Sequence, residues 1–145
     1  MITHEDYMQQ AYKQALMAYE INEIPVGAVV VAPTGIIAQA HNQTELLQDV
    51  TAHAEMLALT AAANHLGAKF LEQCTLYVTL EPCLMCAGAL YWARLKRVVF
   101  AASDAKRGFE RLSTQVLHPH TEIIRGILET PCQDLLQQFF RKIRQ

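Results

Sequence analysis

The chain has 145 residues, 52% of them hydrophobic and 18% charged, with a formal net charge of −2. That balance suits one soluble globular domain over residues 1–145 and excludes a disordered or fibrous chain. No run of about eighteen apolar residues occurs, so no membrane-spanning helix is expected. The acidic N-terminus lacks the basic start of a signal peptide, so a cytoplasmic location is expected.

In chain order, Met8, Tyr12, Ala15, Leu16 and Tyr19 recur at helical spacing and predict an amphipathic helix over 4–21. The β-branched run 25–32 and the stretch 34–42 flank a Pro33-Thr34-Gly35 turn, which predicts a hairpin. A helix is expected over 53–66, ending near Gly67, and a strand over 74–80. Pro82 cannot continue a central strand but suits the first turn of a helix, here one running through 84–94. Residues 97–102 predict a strand, 103–120 an irregular stretch with one helical turn, 121–127 a weak strand, and 132–144 a terminal helix. Helices alternating with strands after an initial hairpin predict one mixed α/β sheet covered by helices.

Charge divides the chain unevenly. Residues 1–90 hold two basic residues and nine acids, net −7, whereas residues 91–145 hold ten basic residues and five acids, net +5. Such a basic third suits either a polyanion-binding face or a solvated surface.

The chemistry gathers in two short motifs. His53-Ala54-Glu55 opens one predicted helix, and Pro82-Cys83-Leu84-Met85-Cys86 opens another. Histidine and cysteine are zinc ligands, and a catalytic zinc keeps its fourth position for water. His53, Cys83 and Cys86 therefore form a candidate Zn2+ set, with both cysteines on one helical turn. Helix N-termini lower thiol pKa and favour thiolate. Glu55 stands beside the metal without binding it, placed to move protons between water and substrate. Alone it would be an ordinary first-turn charge; the two motifs together argue for chemistry. A closed structural zinc module would want a fourth Cys or His, and none sits at motif spacing. Cys74 and Cys132 read as small core residues. His118 and His120 read as loop histidines, and Glu81 is not expected to be the acid–base group.

The paired motifs resemble the signature of zinc-dependent nucleobase deaminases. The stretches EIPVGAVVV, LYVTLEPCLMCAGAL, RVVFAASDAK and LLQQFF, with Asn42, narrow the likeness to the bacterial tRNA-specific adenosine deaminase family. That resemblance implies a cytidine-deaminase-like three-layer α/β/α sandwich around a mixed five-stranded sheet. It implies a homodimer that converts adenosine to inosine at the wobble position of the tRNA anticodon loop. Asn42, Asp104 and Lys106 are then substrate-binding residues. Phe109, Phe139 and Phe140, beside Lys106, Arg107, Arg141 and Lys142, are candidates to hold a splayed RNA loop. The chain departs from the family pattern after Gly108 and in the short segment before the last strand. Deamination of a free base or nucleotide, of the guanine or cytosine type, shares the zinc motif and stays open; the basic third leans towards RNA.

Overall fold

The computed structural model describes residues 1–112 and 115–144, so the irregular stretch 103–120 is seen except at 113 and 114. The elements are α1 (His4–Glu20), β1 (Gly27–Ala32), β2 (Gly35–His41), α2 (Ala54–Leu66), β3 (Thr75–Leu80), α3 (Leu84–Ala93), β4 (Arg97–Ala102), a 3-10 turn (Phe109–Arg111), β5 (Glu122–Arg125) and α4 (Glu129–Ile143). The five strands form one sheet in the order β2-β1-β3-β4-β5. The β1–β2 and β1–β3 pairs are antiparallel, and β3–β4 and β4–β5 are parallel. A parallel neighbour demands a crossover, and α3 supplies it between β3 and β4.

Alternation along the strands assigns the two faces. Ala28, Val30, Leu76, Val78, Val98 and Phe100 pack under α2 and α3. Val29, Tyr77, Val99 and Ala101 turn the other way, towards Met8 and Ala11 of α1 and Cys132 of α4. The result is the expected three-layer mixed sheet. Cys74 and Cys132 are both buried, as expected of small core residues.

Most boundaries shift by one or two residues, and two of the differences involve prolines. Pro82 precedes the N-cap Cys83 and so lies outside α3. Cys83 itself takes the extended N-cap conformation, which leaves the proline to end the strand segment. Helix α4 begins at Glu129, three positions before the expected 132. Pro131 falls inside its first turn, where a missing N–H costs nothing.

Candidate active site

Helices α2 and α3 begin at the same place. His53 is the N-cap of α2 and Cys83 the N-cap of α3, both in extended conformation, and neither side chain caps its helix. Both side chains are thereby free to face each other. His53 Nδ1 lies 3.6 Å from Cys83 Sγ and 3.4 Å from Cys86 Sγ. The three ligand atoms all fall within 4.8 Å of one another. A tetrahedral zinc with bonds of about 2.05 Å to nitrogen and 2.3 Å to sulfur would separate N from S by about 3.5–3.6 Å. Both N–S separations match that geometry, and the donor types suit such an ion.

The electrostatics agree. A hydrogen bond with Cys86, followed in weight by the opposing effect of burial and then by His53, leaves the Cys83 thiol lowered to about 4. The same bond with Cys83 pushes Cys86 upward. His53 is raised, first by its hydrogen bond with Cys83. The uncapped N–H groups of two helices add positive potential at the same point.

Glu55, in the first turn of α2, is 4% exposed. Burial pushes its carboxyl up to about 7, against the pull of its own backbone amide and of His53. Asn42 stands next to this centre, because Gln43 N–H bonds to Ala52 C=O and so brings the end of β2 to the residue before His53. Asn42 is 6% exposed, and its Nδ2 is 3.5 Å from Glu23 Oε1. On the other side, an antiparallel bridge joins Cys83 to Gly108 and carries loop 104–110 to the rim. There Asp104 accepts the backbone N–H groups of Lys106 and Arg107 at 3.1 Å each. Its carboxylate shapes the turn, and Lys106 projects exposed from it.

The aromatic candidates separate. Phe109 and Phe139 are buried, so neither is free to stack on a base. Phe109 meets Phe100 edge-on, and Phe139 meets Tyr19. Phe140 is half-buried. His118 and His120 stack on each other beside Tyr91. Among the described residues, His53, Cys83 and Cys86 are the one cluster with metal-ligand spacing.

Sequence reasoning missed two carboxylates. Glu23, 1% exposed, accepts from Glu45 N at 3.2 Å and Leu46 N at 2.7 Å, as well as from Asn42 and Thr44. It holds the start of the loop between β2 and α2. Glu81 does the same for loop 104–110. A signal existed in both cases: a lone acid in an otherwise apolar strand-end run, EIPVG and TLEPC.

Residues 2–144 match the MafB19-like deaminase family. The tRNA-specific adenosine deaminase of Bacillus subtilis is 45% identical over 99% of this chain and 92% of its own length. The chain belongs to the tRNA-specific adenosine deaminase family. A solved structure from a study of A-to-I editing by tRNA:A34 deaminases at the wobble position of transfer RNA superposes with a TM-score of 0.84. It is 37% identical and covers 89% of this chain and 97% of that one. A guanine deaminase structure, also from Bacillus subtilis, is 43% identical over 70% of this chain and 65% of that one, with a TM-score of 0.67. Both likenesses concern deaminases; the tRNA-specific adenosine deaminase likeness runs through nearly the whole chain.

Proposed function

We propose that this chain, acting as one deaminase unit in the cytoplasm, hydrolyses adenosine to inosine at the wobble position of tRNA. The observation that carries it is the buried Glu55 beside the convergent His53, Cys83 and Cys86, in a chain whose tRNA-deaminase likeness spans nearly its full length. His53, Cys83 and Cys86 would hold the metal, and zinc suits this nitrogen-and-sulfur set. When bound, it supplies the Lewis acidity that makes water a nucleophile at neutral pH.

The remaining work falls to the protein. Glu55 takes one proton from the attacking water and gives it to adenine N1 as oxygen bonds to C6. It then moves the second proton to the exocyclic nitrogen, which leaves as ammonia and yields inosine. A burial-raised carboxyl can both accept and return a proton near neutrality. Asn42, fixed by Glu23, offers hydrogen bonds to the nucleotide. A base reached at C6 must leave its stack, which favours a single-stranded anticodon loop over duplex. Asp104 and Lys106 line the rim where the flanking nucleotides would pass.

The C-terminal helix supports an RNA face in part. Tyr19 packs on Phe139, and Lys142 Nζ sits 4.0 Å from the Tyr19 ring centroid and donates to Tyr19 C=O at 3.4 Å. The end of α4 therefore reaches the last turn of α1, a few residues before Glu23. Lys142 is occupied by these contacts, and Arg141 and Arg144 are the exposed charges.

Assembly follows from the opposite layer. Trp92 is 71% exposed, and Leu84, Met85, Leu66 and Phe70 are exposed around α2 and α3. An open groove of about 530 Å³ between them is lined by Met56, Leu59, Phe70 and Trp92 among others. We take this face as the homodimer contact.

Purified protein incubated with an anticodon stem-loop should produce inosine at the wobble position and contain one zinc per chain. The guanine deaminase likeness over 70% of the chain motivates the second arm, free guanine. Guanine turnover without inosine formation would replace the RNA reading.

A further inference from the structure

The end of β3 carries a carboxylate whose surroundings are unlike those of a catalytic acid. Glu81 is 5% exposed and belongs to neither of the two salt bridges found among the described residues. A buried carboxylate without a paired cation is costly unless hydrogen bonds compensate it. Each of its oxygens has one. Oε1 accepts the N–H of Asp104 at 2.9 Å, and Oε2 accepts the N–H of Glu110 at 2.8 Å. These donors stand at the two ends of the loop that brings Asp104 and Lys106 to the rim.

The middle of the loop closes over the same group. A Cβ built on Gly108 would meet Glu81 Cδ at 2.2 Å, Oε2 at 2.3 Å and Oε1 at 2.4 Å. Gly108 has φ −65°, a conformation open to any residue, so the glycine answers to space. The neighbouring backbone continues the clasp: Phe109 N–H donates to Pro82 C=O at 3.0 Å, and Gly108 bridges Cys83. Residues 81 to 83 thus hold the loop with one side chain while presenting a metal-ligand candidate with the next.

We propose that Glu81 is a positioning residue for substrate binding: it fixes loop 104–110 at a set distance from the strand-to-helix turn that carries Cys83. The inference rests on the tRNA reading above, since that reading makes the loop a substrate contact. The arrangement explains why a charge is kept in a core position. Both acceptor sites must be oxygens. A glutamine would turn an NH2 group towards one of the two backbone donors and leave that donor without a partner. Preorganisation of the rim then acts on binding, while Glu55 and the ligand set are left as they are.

The test is kinetic, on the zinc-loaded full chain with an anticodon stem-loop. Glu81→Gln should raise KM about tenfold, the loss expected of one unsatisfied buried donor, with kcat within about threefold of wild type and metal content unchanged. Gly108→Ala should do the same, because its methyl group displaces the carboxylate. In Glu81→Ala/Gly108→Ala the methyl enters the space the carboxylate has left, so the double variant should be no worse than Glu81→Ala alone; independent roles would multiply instead. Should Glu81→Ala fail to fold, the Glu81→Gln and Gly108→Ala kinetics still decide. Amide exchange at Asp104 and Glu110, slow in wild type and faster in Glu81→Gln, reads the clasp without reference to any substrate. Loss of kcat at unchanged KM, loss of metal, or multiplicative effects would overturn the proposal. A wild-type enzyme silent on the stem-loop, with the exchange result as expected, would instead count against the tRNA reading.

Discussion

The two helical layers of this protein are built by different rules. On one face α1 opens with a capping box: Thr3 accepts the N–H of Asp6, and Asp6 accepts the N–H of Thr3 at 2.8 Å. Both α1 and α4 carry charged residues along their outer sides. On the opposite face α2 and α3 have no capping side chain, and α3 has no charged residue. Their first-turn N–H groups and positive dipole ends are left for whatever His53 and Cys83 hold. In the first layer α1 satisfies its N-terminus locally, while α4 has no capping side chain. In the second layer both helix starts converge on one site, and the outer surface is apolar.

If chemistry belongs to the α2–α3 layer, the largest effect comes from Glu55. Glu55→Gln should lower the deamination rate by about 10⁴ or more, the upper range for a general acid–base group that serves several transfers. Zinc content and the thermal transition should match wild type. Loss of zinc in that variant would move Glu55 into the ligand set. The next effect concerns assembly. Trp92→Glu should convert a dimer into a monomer at about 10 µM in sedimentation, since charge at the centre of an apolar contact is unfavourable. A wild-type chain already monomeric at that concentration would remove the apolar surface as an interface. Charge changes on α4 should leave the mass unaltered.

The α1–α4 layer should respond differently. Arg141→Glu/Arg144→Glu is expected to weaken tRNA binding several-fold and to flatten the slope of log K against log salt by about 0.7 per lost phosphate contact. Lys142→Ala should add little to that slope, because its ammonium already serves Tyr19. An unchanged slope in the double variant would shift the RNA face to Lys106, Arg107 and Arg111.

What the sequence made legible follows the same division. His53, Glu55, Cys83 and Cys86 could be read because each motif is local and each opens a helix, so spacing alone reports geometry. The mixed sheet could be read from helices alternating with strands after the hairpin; which face each of Ala28, Val29 and Val30 meets could not, because that run is apolar throughout. Glu23 and Glu81 stood out only as lone acids in apolar runs, and what they hold could not be read. Their partners are backbone N–H groups of segments distant in sequence, Glu45 and Leu46 in one case and Asp104 and Glu110 in the other. Every residue but proline carries that donor, so no residue type marks the contact. Phe109 and Phe139 were read as stacking candidates because composition cannot say which side of a loop or helix meets the core. Helix α4 starts at Glu129, ahead of the expected 132, because Pro131 is a compatible first-turn residue whose missing N–H would be unpaired there anyway.

The smallest effect tests the capped helix, α1. Thr3→Ala removes the side chain that receives the Asp6 N–H and should cost about 1 kcal/mol, the usual loss for an N-cap hydroxyl. In a chain of this length that lowers the melting temperature by a few degrees. Asp6 supplies the other half of the box. Its hydrogen bonds from the backbone and side chain of Thr3 hold its carboxyl below the ordinary 3.8. A carboxyl depressed in the folded state stabilises above its unfolded value, and that stabilisation disappears as pH falls through the folded value. The stability gap between wild type and Asp6→Asn should therefore be present at neutral pH and close below pH 3.8. Denaturant melts across pH would show it. A gap that persists at low pH would assign the effect to packing at the start of α1. The site should be indifferent to either change: zinc content, and kcat and KM for the stem-loop, should stay at wild-type values, because the capping box lies at the opposite end of α1 from Glu23. Altered kinetics in Thr3→Ala would mean that the two layers are coupled, and the division between them would fail.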